Sequence, residues 1–342
     1  MPEVASLVHL RSNPIISISV TNNDAADYTS APIFTDIPSS YIQTLGCDWS
    51  QMRLEDENGN PVTFWPDANG ANEVYPGYYS IWFKIDLPAS GTRTLRLYCD
   101  QSNPTYTDNP TDVVDYYCDC SDLSQLYSKS DTATVDTEKY LDPPASINIY
   151  PAETASTTSD GYVYIDFNYS QKLIIKENLN LVRPGCGYDL VFTVYTGSGI
   201  YYSGPMIWYG DTNQYYYGTN LGYRTSTTTE ILGQYDADGK WHRYLVLVDG
   251  LRKTFEFLYD DKVLGTNLPF YSDTPDWDPS YTYYFRVIAY SYSSYEDTPN
   301  LSDPHIDSVV VTSVPYSSLP TINVIPASRP VTDCLSKSPD LT

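Results

Sequence analysis

The sequence predicts an all-β protein in which an N-terminal β-sandwich domain is followed by a second β-sandwich. No window keeps apolar residues at helical spacing, whereas short runs that alternate apolar and polar residues recur along the chain. Glycine, proline, asparagine and aspartate bound these runs, as they bound strands. Tyrosine, which favours strands, supplies 35 of the 342 residues. This length suits two domains, each large enough to bury a core.

In the first half, strands are predicted at 15–20 and 52–55. The clearest alternation lies at 80–87, where every second residue is apolar and Trp82 falls on the face expected to be wet. A Pro-Ala-Ser-Gly turn leads from this segment to a similar one at 95–99. The two segments are therefore expected to form a hairpin.

The composition shifts to asparagine, proline, aspartate and threonine after residue 100, which indicates a connector. We therefore predict an N-terminal domain at 1–120, a second domain at 121–314 and a tail rich in proline and serine at 315–342. The tail is expected to be extended or to reach a neighbouring subunit. Strands of the second domain are predicted at 162–167, 173–176, 188–195, 205–209, 241–248, 254–259, 282–290 and 306–312.

The charge balance excludes one class of partner. There are 19 basic and 43 acidic residues, a formal net charge of −24, and such a field repels nucleic acid. No apolar run approaches the roughly 18 residues of a membrane helix, so no membrane span is expected. The acidity suits a protein outside the cell, or an acidic habitat in which carboxylates are protonated.

The even cysteine count is compatible with three disulfides, whose connectivity the sequence leaves open. Cys118 and Cys120 have no neighbouring histidine or second close cysteine pair to complete a zinc site, so disulfides are favoured over a metal. Cys47 and Cys99 are expected in one domain, and Cys334 could tie the tail to the body. Disulfides would imply an oxidising location or a hyperthermophile. The six candidates are Cys47, Cys99, Cys118, Cys120, Cys186 and Cys334.

Four segments of the first half carry a family resemblance. They read Trp-Ser-Gln-Met-Arg-Leu-Glu-Asp-Glu-Asn-Gly at 49–59, Phe-Trp at 64–65, Ile-Trp-Phe-Lys-Ile at 81–85 and Gly-Thr-Arg-Thr-Leu-Arg-Leu-Tyr at 91–98. They resemble the strands of an extracellular β-domain family of unknown function. In that family the domain commonly precedes a concanavalin-like jelly roll.

The second half resembles such a jelly roll, of the concanavalin A-like lectin/glucanase and laminin-G type. The motif residues are Gly-Lys-Trp-His at 239–242, a hairpin whose turn is Asp260-Asp261, and the closing strand at 306–311. The resemblance implies two packed antiparallel sheets over 121–314. These are core and turn residues, so they speak to fold more than to function.

Catalysis on this jelly roll would need carboxylate residues in an arrangement that the chain lacks. Its glycosidases carry a Glu-x-Asp-x-x-Glu strand that places nucleophile and acid on one face, and the chain lacks that triplet. Glu177, Glu230 and Glu256 are isolated, and His242 next to Trp241 is expected to pack rather than react. We therefore predict that the protein is not an enzyme.

One aromatic cluster is the candidate contact surface, because exposed rings stack on sugars and also fill subunit interfaces. Its residues are Tyr201, Tyr202, Trp208, Tyr209, Asp211, Asn213, Tyr215, Tyr216 and Tyr217. No cofactor is certain, but calcium is a candidate because jelly rolls often hold one ion at a loop rim through hard oxygen ligands. The candidate ligands are Asp236, Asp238, Asp260 and Asp261.

These observations predict a non-enzymatic structural or adhesive surface protein, such as a virion capsid, turret or fibre subunit or a cell-surface appendage, from an archaeal thermophile. It would be extracellular, with copies of itself, other virion subunits and host or cell-surface glycans as partners. The opening residues lack a secretion signal, which a virion protein assembled inside its host would not need. The alternative is a secreted carbohydrate-binding module, and the third hypothesis is a divergent glycoside hydrolase with carboxylates from distant strands.

Overall fold

The computed structural model describes residues 14–131, 133–149, 161–180, 188–196, 199–209, 219–225, 229–234, 238–289 and 305–326. Strands dominate these residues, with one α-helix, α1 (Ser39–Leu45), and four short 3₁₀ turns among them. None of the helices described is long and apolar enough to cross a membrane. In chain order the strands are β1 (Ile15–Thr21), β2 (Tyr28–Pro38), β3 (Met52–Glu55), β4 (Pro61–Val62), β5 (Phe64–Pro66), β6 (Tyr78–Leu87), β7 (Thr92–Cys99), β8 (Tyr116–Cys118), β9 (Ser128–Lys129), β10 (Ala133–Asp136), β11 (Ser146–Ile149), β12 (Gly161–Phe167), β13 (Lys172–Asn180), β14 (Tyr188–Tyr195), β15 (Ile200–Ser203), β16 (Pro205–Tyr209), β17 (Thr219–Arg224), β18 (Thr229–Gln234), β19 (Trp241–Asp249), β20 (Thr254–Tyr259), β21 (Lys262–Pro269), β22 (Thr282–Ala289), β23 (His305–Ser313) and β24 (Thr321–Ile325).

The described strands form four sheets. Two of them, the base sheets, have the orders β24-β1-β7-β3-β4 and β2-β6-β5. The central sheet has the order β10-β11-β23-β13-β19-β20-β21, with β8 also paired to β23. The outer sheet has the order β18-β17-β16-β14-β22-β12-β9, with β15 also paired to β14.

Two apolar cores lie on opposite sides of the central sheet. On β13, Ile175 packs into the core shared with the outer sheet, and its neighbour Ile174 packs into the core shared with the base sheets. Alternate residues of a strand face opposite sides, so one strand serves both cores. This explains why β13, β19 and β23 are buried along almost their whole length.

The predicted fold class is confirmed, since base sheets built from the N-terminal half and completed by β24 accompany a jelly-roll sandwich of central and outer sheets. The exact domain limits stay a prediction. Two segments pair with strands beyond the predicted domain limits. Tyr116–Cys118 joins the central sheet beside β23, and Thr321–Ile325, inside the predicted tail, pairs with β1.

The predicted hairpin of 80–87 with 95–99 is wrong. β6 pairs with β2 and β5, whereas β7 pairs with β1 and β3, so the turn between them passes from one base sheet to the other. Trp82 is also fully buried rather than wet. Its ring centroid lies 5.3 Å from that of Phe34, and its indole N–H donates to Asp67, because both faces of β6 are covered.

A buried polar layer joins the base to the central sheet. The Lys176 ammonium lies 2.7 Å from an oxygen of Asp67 and donates to the carbonyl of Ser308 at 2.8 Å. The Ser308 hydroxyl donates to the other Asp67 oxygen at 2.6 Å. Asp307 accepts the backbone N–H of Leu141 at 2.7 Å. Every charge in this layer is therefore matched by a partner from another segment, as burial of charge requires.

One disulfide is present, between Cys47 after α1 and Cys99 at the end of β7, two of the six cysteines predicted to form such bonds. Cys118 and Cys120 are buried thiols in this structure, and their membership of disulfides stays a prediction. Cys186 and Cys334 lie outside the described residues.

Candidate functional site

The solvent side of the outer sheet carries a contiguous group of tyrosines. On β12 and β22 the inward residues are apolar and belong to the core, among them Val163, Ile165 and Phe285. The residues between them face the other way, as strand alternation requires. We name this surface the tyrosine face and define it as Tyr127, Tyr162, Tyr164, Asp166, Tyr284 and Arg286.

The strand register sets the rows of the tyrosine face. Tyr164 of β12 is directly opposite Arg286 of β22, and Asp166 is opposite Tyr284. Residues directly opposite in an antiparallel ladder lie on the same side of the sheet. Tyr127 precedes β9, and its backbone N–H donates to the carbonyl of Tyr164 at 2.9 Å, which fixes it beside these rows.

The rings touch in sequence. The centroid of Tyr284 lies 4.5 Å from that of Tyr127 and 6.1 Å from that of Tyr164. Tyr164 in turn lies 5.4 Å from Tyr162, edge to face. Tyr127 is 60% exposed, whereas Tyr284 beneath it is largely buried. The result is a supported aromatic surface with one prominent exposed ring.

Polar groups accompany the rings. The guanidinium carbon of Arg286 lies 5.9 Å from the Tyr164 centroid, within cation–π range, and its Nη1 reaches the Tyr164 hydroxyl at 3.5 Å. Asp166 is exposed at the end of the row. Burial, and then the hydrogen bond with Tyr127, raises the pKa of Tyr284 to about 12. That hydroxyl therefore stays protonated and remains a donor.

The aromatic cluster predicted from the sequence falls partly in the same sheet. Tyr201 and Tyr202 lie on β15, and Trp208 and Tyr209 lie on β16. In the backbone register, Tyr202 pairs with Thr193 of β14, which in turn pairs with Tyr284 of β22. The remaining predicted contacts lie outside the described residues, namely Asp211, Asn213, Tyr215, Tyr216 and Tyr217.

Two of the predicted calcium ligands bind a side chain instead. The His242 imidazole lies 2.9 Å from an oxygen of Asp260 and 3.1 Å from one of Asp238, and it stacks on Tyr259. Burial alone would lower the pKa of His242, but the two carboxylates outweigh it and raise that pKa. Asp261 is exposed.

No group of three or more metal-ligating side chains is found in the part of the chain that the structure describes, and Asp236 lies outside it. The expected packing role of His242 agrees with its burial.

A cleft of about 530 Å³ lies between the base and central sheets. Asp36, Arg243, Glu256 and Asp261 contribute its charged lining. Arg243 is held between the Asp36 carboxylate and the carbonyl of Asp260. Burial raises the pKa of Glu256 above its ordinary value. The cleft thus gathers carboxyl groups from distant segments.

No protein-family model matches the chain, and no curated protein matches its sequence. Among solved structures, the endo-β-1,4-glucuronan lyase from the fungus Trichoderma reesei is similar at 15% identity and a TM-score of 0.41, over 59% of this chain and 96% of that one. The potassium-bound Emp46p carbohydrate recognition domain is similar at 11% identity and 0.35, over 58% and 99%. A β-1,3-glucanase from Mycobacterium marinum is similar at 14% identity and 0.36, over 60% and 100%.

These structures correct one prediction. The chain was expected not to be an enzyme, yet the proteins it is similar to include a lyase and a glucanase as well as a carbohydrate recognition domain. Likeness at these scores assigns neither an activity nor a ligand to this chain.

Proposed function

We propose that this protein binds carbohydrate on the tyrosine face of its jelly roll. The observation that supports this most is the chain of ring contacts from Tyr127 through Tyr284 and Tyr164 to Tyr162 on the solvent side of a sheet. The apolar faces of sugar rings stack on such surfaces, while hydroxyl and charged groups at the edge bond their hydroxyls. The exposed Asp166 supplies an edge group, while Arg286, which is only 6% exposed, supports the Tyr164 ring within cation–π range.

The charge of the chain selects among sugars. A formal net charge of −24 repels uronates, sulfated glycans and sialylated glycans over long range. We therefore expect neutral glycans to bind better than acidic ones at neutral pH and low salt.

The location that fits this activity is outside the cell, on a virion or a cell surface, with a structural or adhesive role. The Cys47–Cys99 disulfide supports an oxidising compartment, and the acidic composition supports solubility there. In such a protein the tyrosine face would hold either a glycan or another subunit.

A glycan array with the full chain tests the proposal. We expect saturable binding to neutral glycans that falls about tenfold or more in Tyr127→Ala and Tyr164→Ala, a loss of ~1.4 kcal/mol or more. The control is Leu251→Ala, whose side chain is 59% exposed in the turn between β19 and β20, on the other jelly-roll sheet. Binding that survives both tyrosine substitutions would overturn the proposed site.

Light scattering on the same variants distinguishes a glycan partner from another subunit as the partner of the tyrosine face. If the native chain is a regular multimer and Tyr127→Ala dissociates it without changing glycan binding, the tyrosine face is a subunit contact and not a glycan site. An unchanged mass together with lost glycan binding supports the glycan site.

A further inference from the structure

Cys118 and Cys120 are placed as two thiols in contact. Their sulfur atoms lie 3.4 Å apart, and both residues are fully buried. Cys118 is the last residue of β8, opposite Val309 of β23, so the pair sits at the edge of the central sheet beside the jelly-roll core.

The backbone at Cys120 sets the direction of its side chain relative to Cys118. A fully extended strand separates Cα atoms two residues apart by about 6.6 Å, which is inside the upper limit for a disulfide. Cys120 has a φ of 54°, in the left-handed region, and this angle turns its Cβ relative to the preceding strand and ends the extended path after it. The Asp119 carboxylate between the cysteines accepts from the backbone N–H of Ser121 at 3.0 Å and from Gln125 Nε2 at 2.8 Å. These bonds hold the turn that follows Cys118.

We propose that Cys118 and Cys120 are joined by a disulfide in the mature protein. The oxidant is an external disulfide, carried by a thiol–disulfide oxidoreductase or a small disulfide molecule. One cysteine thiolate attacks a sulfur of that disulfide and displaces its first thiolate. The second cysteine thiolate then attacks the mixed disulfide and displaces the second. Two cysteine thiols become one disulfide, and the oxidant leaves as two thiols that carry the two protons.

The order of events follows from burial. Burial, with the neighbouring Cys118 thiol, raises the pKa of Cys120 well above its ordinary value. The thiolate is the attacking species, so the bond forms before β8 docks against β23 and closes the site. The Cys47–Cys99 disulfide points to a maturation route that oxidises thiols. Once formed, the bond keeps both sulfurs from pairing with Cys186 or Cys334.

Non-reducing peptide mapping of the full wild-type chain, secreted through an oxidising pathway, tests this. Free thiols are blocked by an alkylating agent in denaturant before digestion. We expect one peptide that contains both Cys118 and Cys120, without alkyl groups and two hydrogens lighter than its reduced form. Alkylation of both cysteines, or a link from either to Cys186 or Cys334, would overturn the proposal.

A variant gives an independent readout. In Cys186→Ser/Cys334→Ser the intact mass should be about 4 Da below that of the reduced chain, two hydrogens for each of two disulfides. The matched control, Cys118→Ser on that background, should take up one alkyl group, at Cys120. An intact mass only about 2 Da lower, with two alkyl groups on Cys118 and Cys120, would contradict the pairing.

Discussion

The Lys176 ammonium and the Asp67 carboxylate lie 2.7 Å apart with 0% and 1% of their side chains exposed. Asp67 follows strand β5 of the base and Lys176 belongs to β13 of the central sheet, so the pair joins the two halves of the protein. A buried pair adds little beyond what a packed apolar pair would give, but either partner left alone is costly.

Lys176→Met should destabilise the chain by about 3 to 5 kcal/mol, because Asp67 would keep a buried charge without its cation. Urea unfolding of the full chain measures this. The control is Lys253→Met, which breaks an exposed pair with Asp276 (37% and 96% exposed) and should cost less than about 1 kcal/mol. Equal losses of unfolding free energy in the two variants would show that Lys176 does not stabilise the buried Asp67 carboxylate.

Glu177 should make the protein more stable in acid. Among the residues that the structure describes, neither of its carboxyl oxygens has a hydrogen-bond partner, and burial raises the pKa of Glu177 well above its ordinary value, although Lys176 opposes this. When the pKa of a carboxyl group is higher in the folded than in the unfolded protein, its contribution to stability is fully present below the unfolded pKa, about 4.3 for Glu. That contribution is lost as pH rises through the folded pKa.

The variant Glu177→Gln removes this titration. Its melting temperature should match that of the wild type near pH 4 and exceed it at pH 7, because a neutral amide carries no cost of ionisation. Melting curves at the two pH values measure the difference, with the exposed Glu138→Gln as control. A variant that is less stable than the wild type at pH 7 would contradict the prediction.

His242 should lose its contribution to stability at higher pH. Its raised pKa means that the charged imidazole, held by Asp260 and Asp238, stabilises the fold fully below the unfolded value of about 6.5. That contribution disappears as pH rises through the folded pKa. His242→Gln should therefore remove part of the stability decrease that the wild type shows above pH 6.5, as followed by urea unfolding. NMR titration that places the His242 pKa below 6.5 would refute this.

The Cys47–Cys99 bond closes a loop with a sequence separation of 52 residues. Crosslinks of this span typically stabilise a protein by about 2 to 4 kcal/mol, mainly by restricting the unfolded chain. Cys47→Ser/Cys99→Ser should lose this amount in urea unfolding under non-reducing conditions. A reductant should lower the stability of the wild type by more than that of the variant, and a wild type that loses no more stability than the variant would contradict the assignment.

Short-range patterns predicted most strands but not their partners. Alternation placed 52–55 and 188–195 correctly, because it reports which residues face a core. It misplaced β6 and β7 as a hairpin, because the same alternation fits a turn between two sheets. Trp82 was expected to be wet, because nothing local shows that Phe34 and Asp67 cover it.

The tyrosine face was missed for a related reason. The tyrosines at 215–217 are adjacent in the sequence, whereas Tyr162 and Tyr164 are spaced by two on one strand and Tyr284 joins them only through the register of β12 with β22. The spacing of two between Tyr162 and Tyr164 predicts that both rings lie on the same face of a strand. The pairing of Lys176 with Asp67 had no such signal, because it depends on the docking of the base against the central sheet.

Calorimetric titration of a neutral oligosaccharide, chosen from the array, into the full chain measures whether the tyrosine face binds carbohydrate. We expect saturable binding to the wild type and to Leu251→Ala, and about tenfold or greater weakening in Tyr127→Ala, with the fold of each variant verified by its melting curve. Equal affinity of Tyr127→Ala, Tyr164→Ala and the wild type would contradict it and would place the binding site away from the tyrosine face.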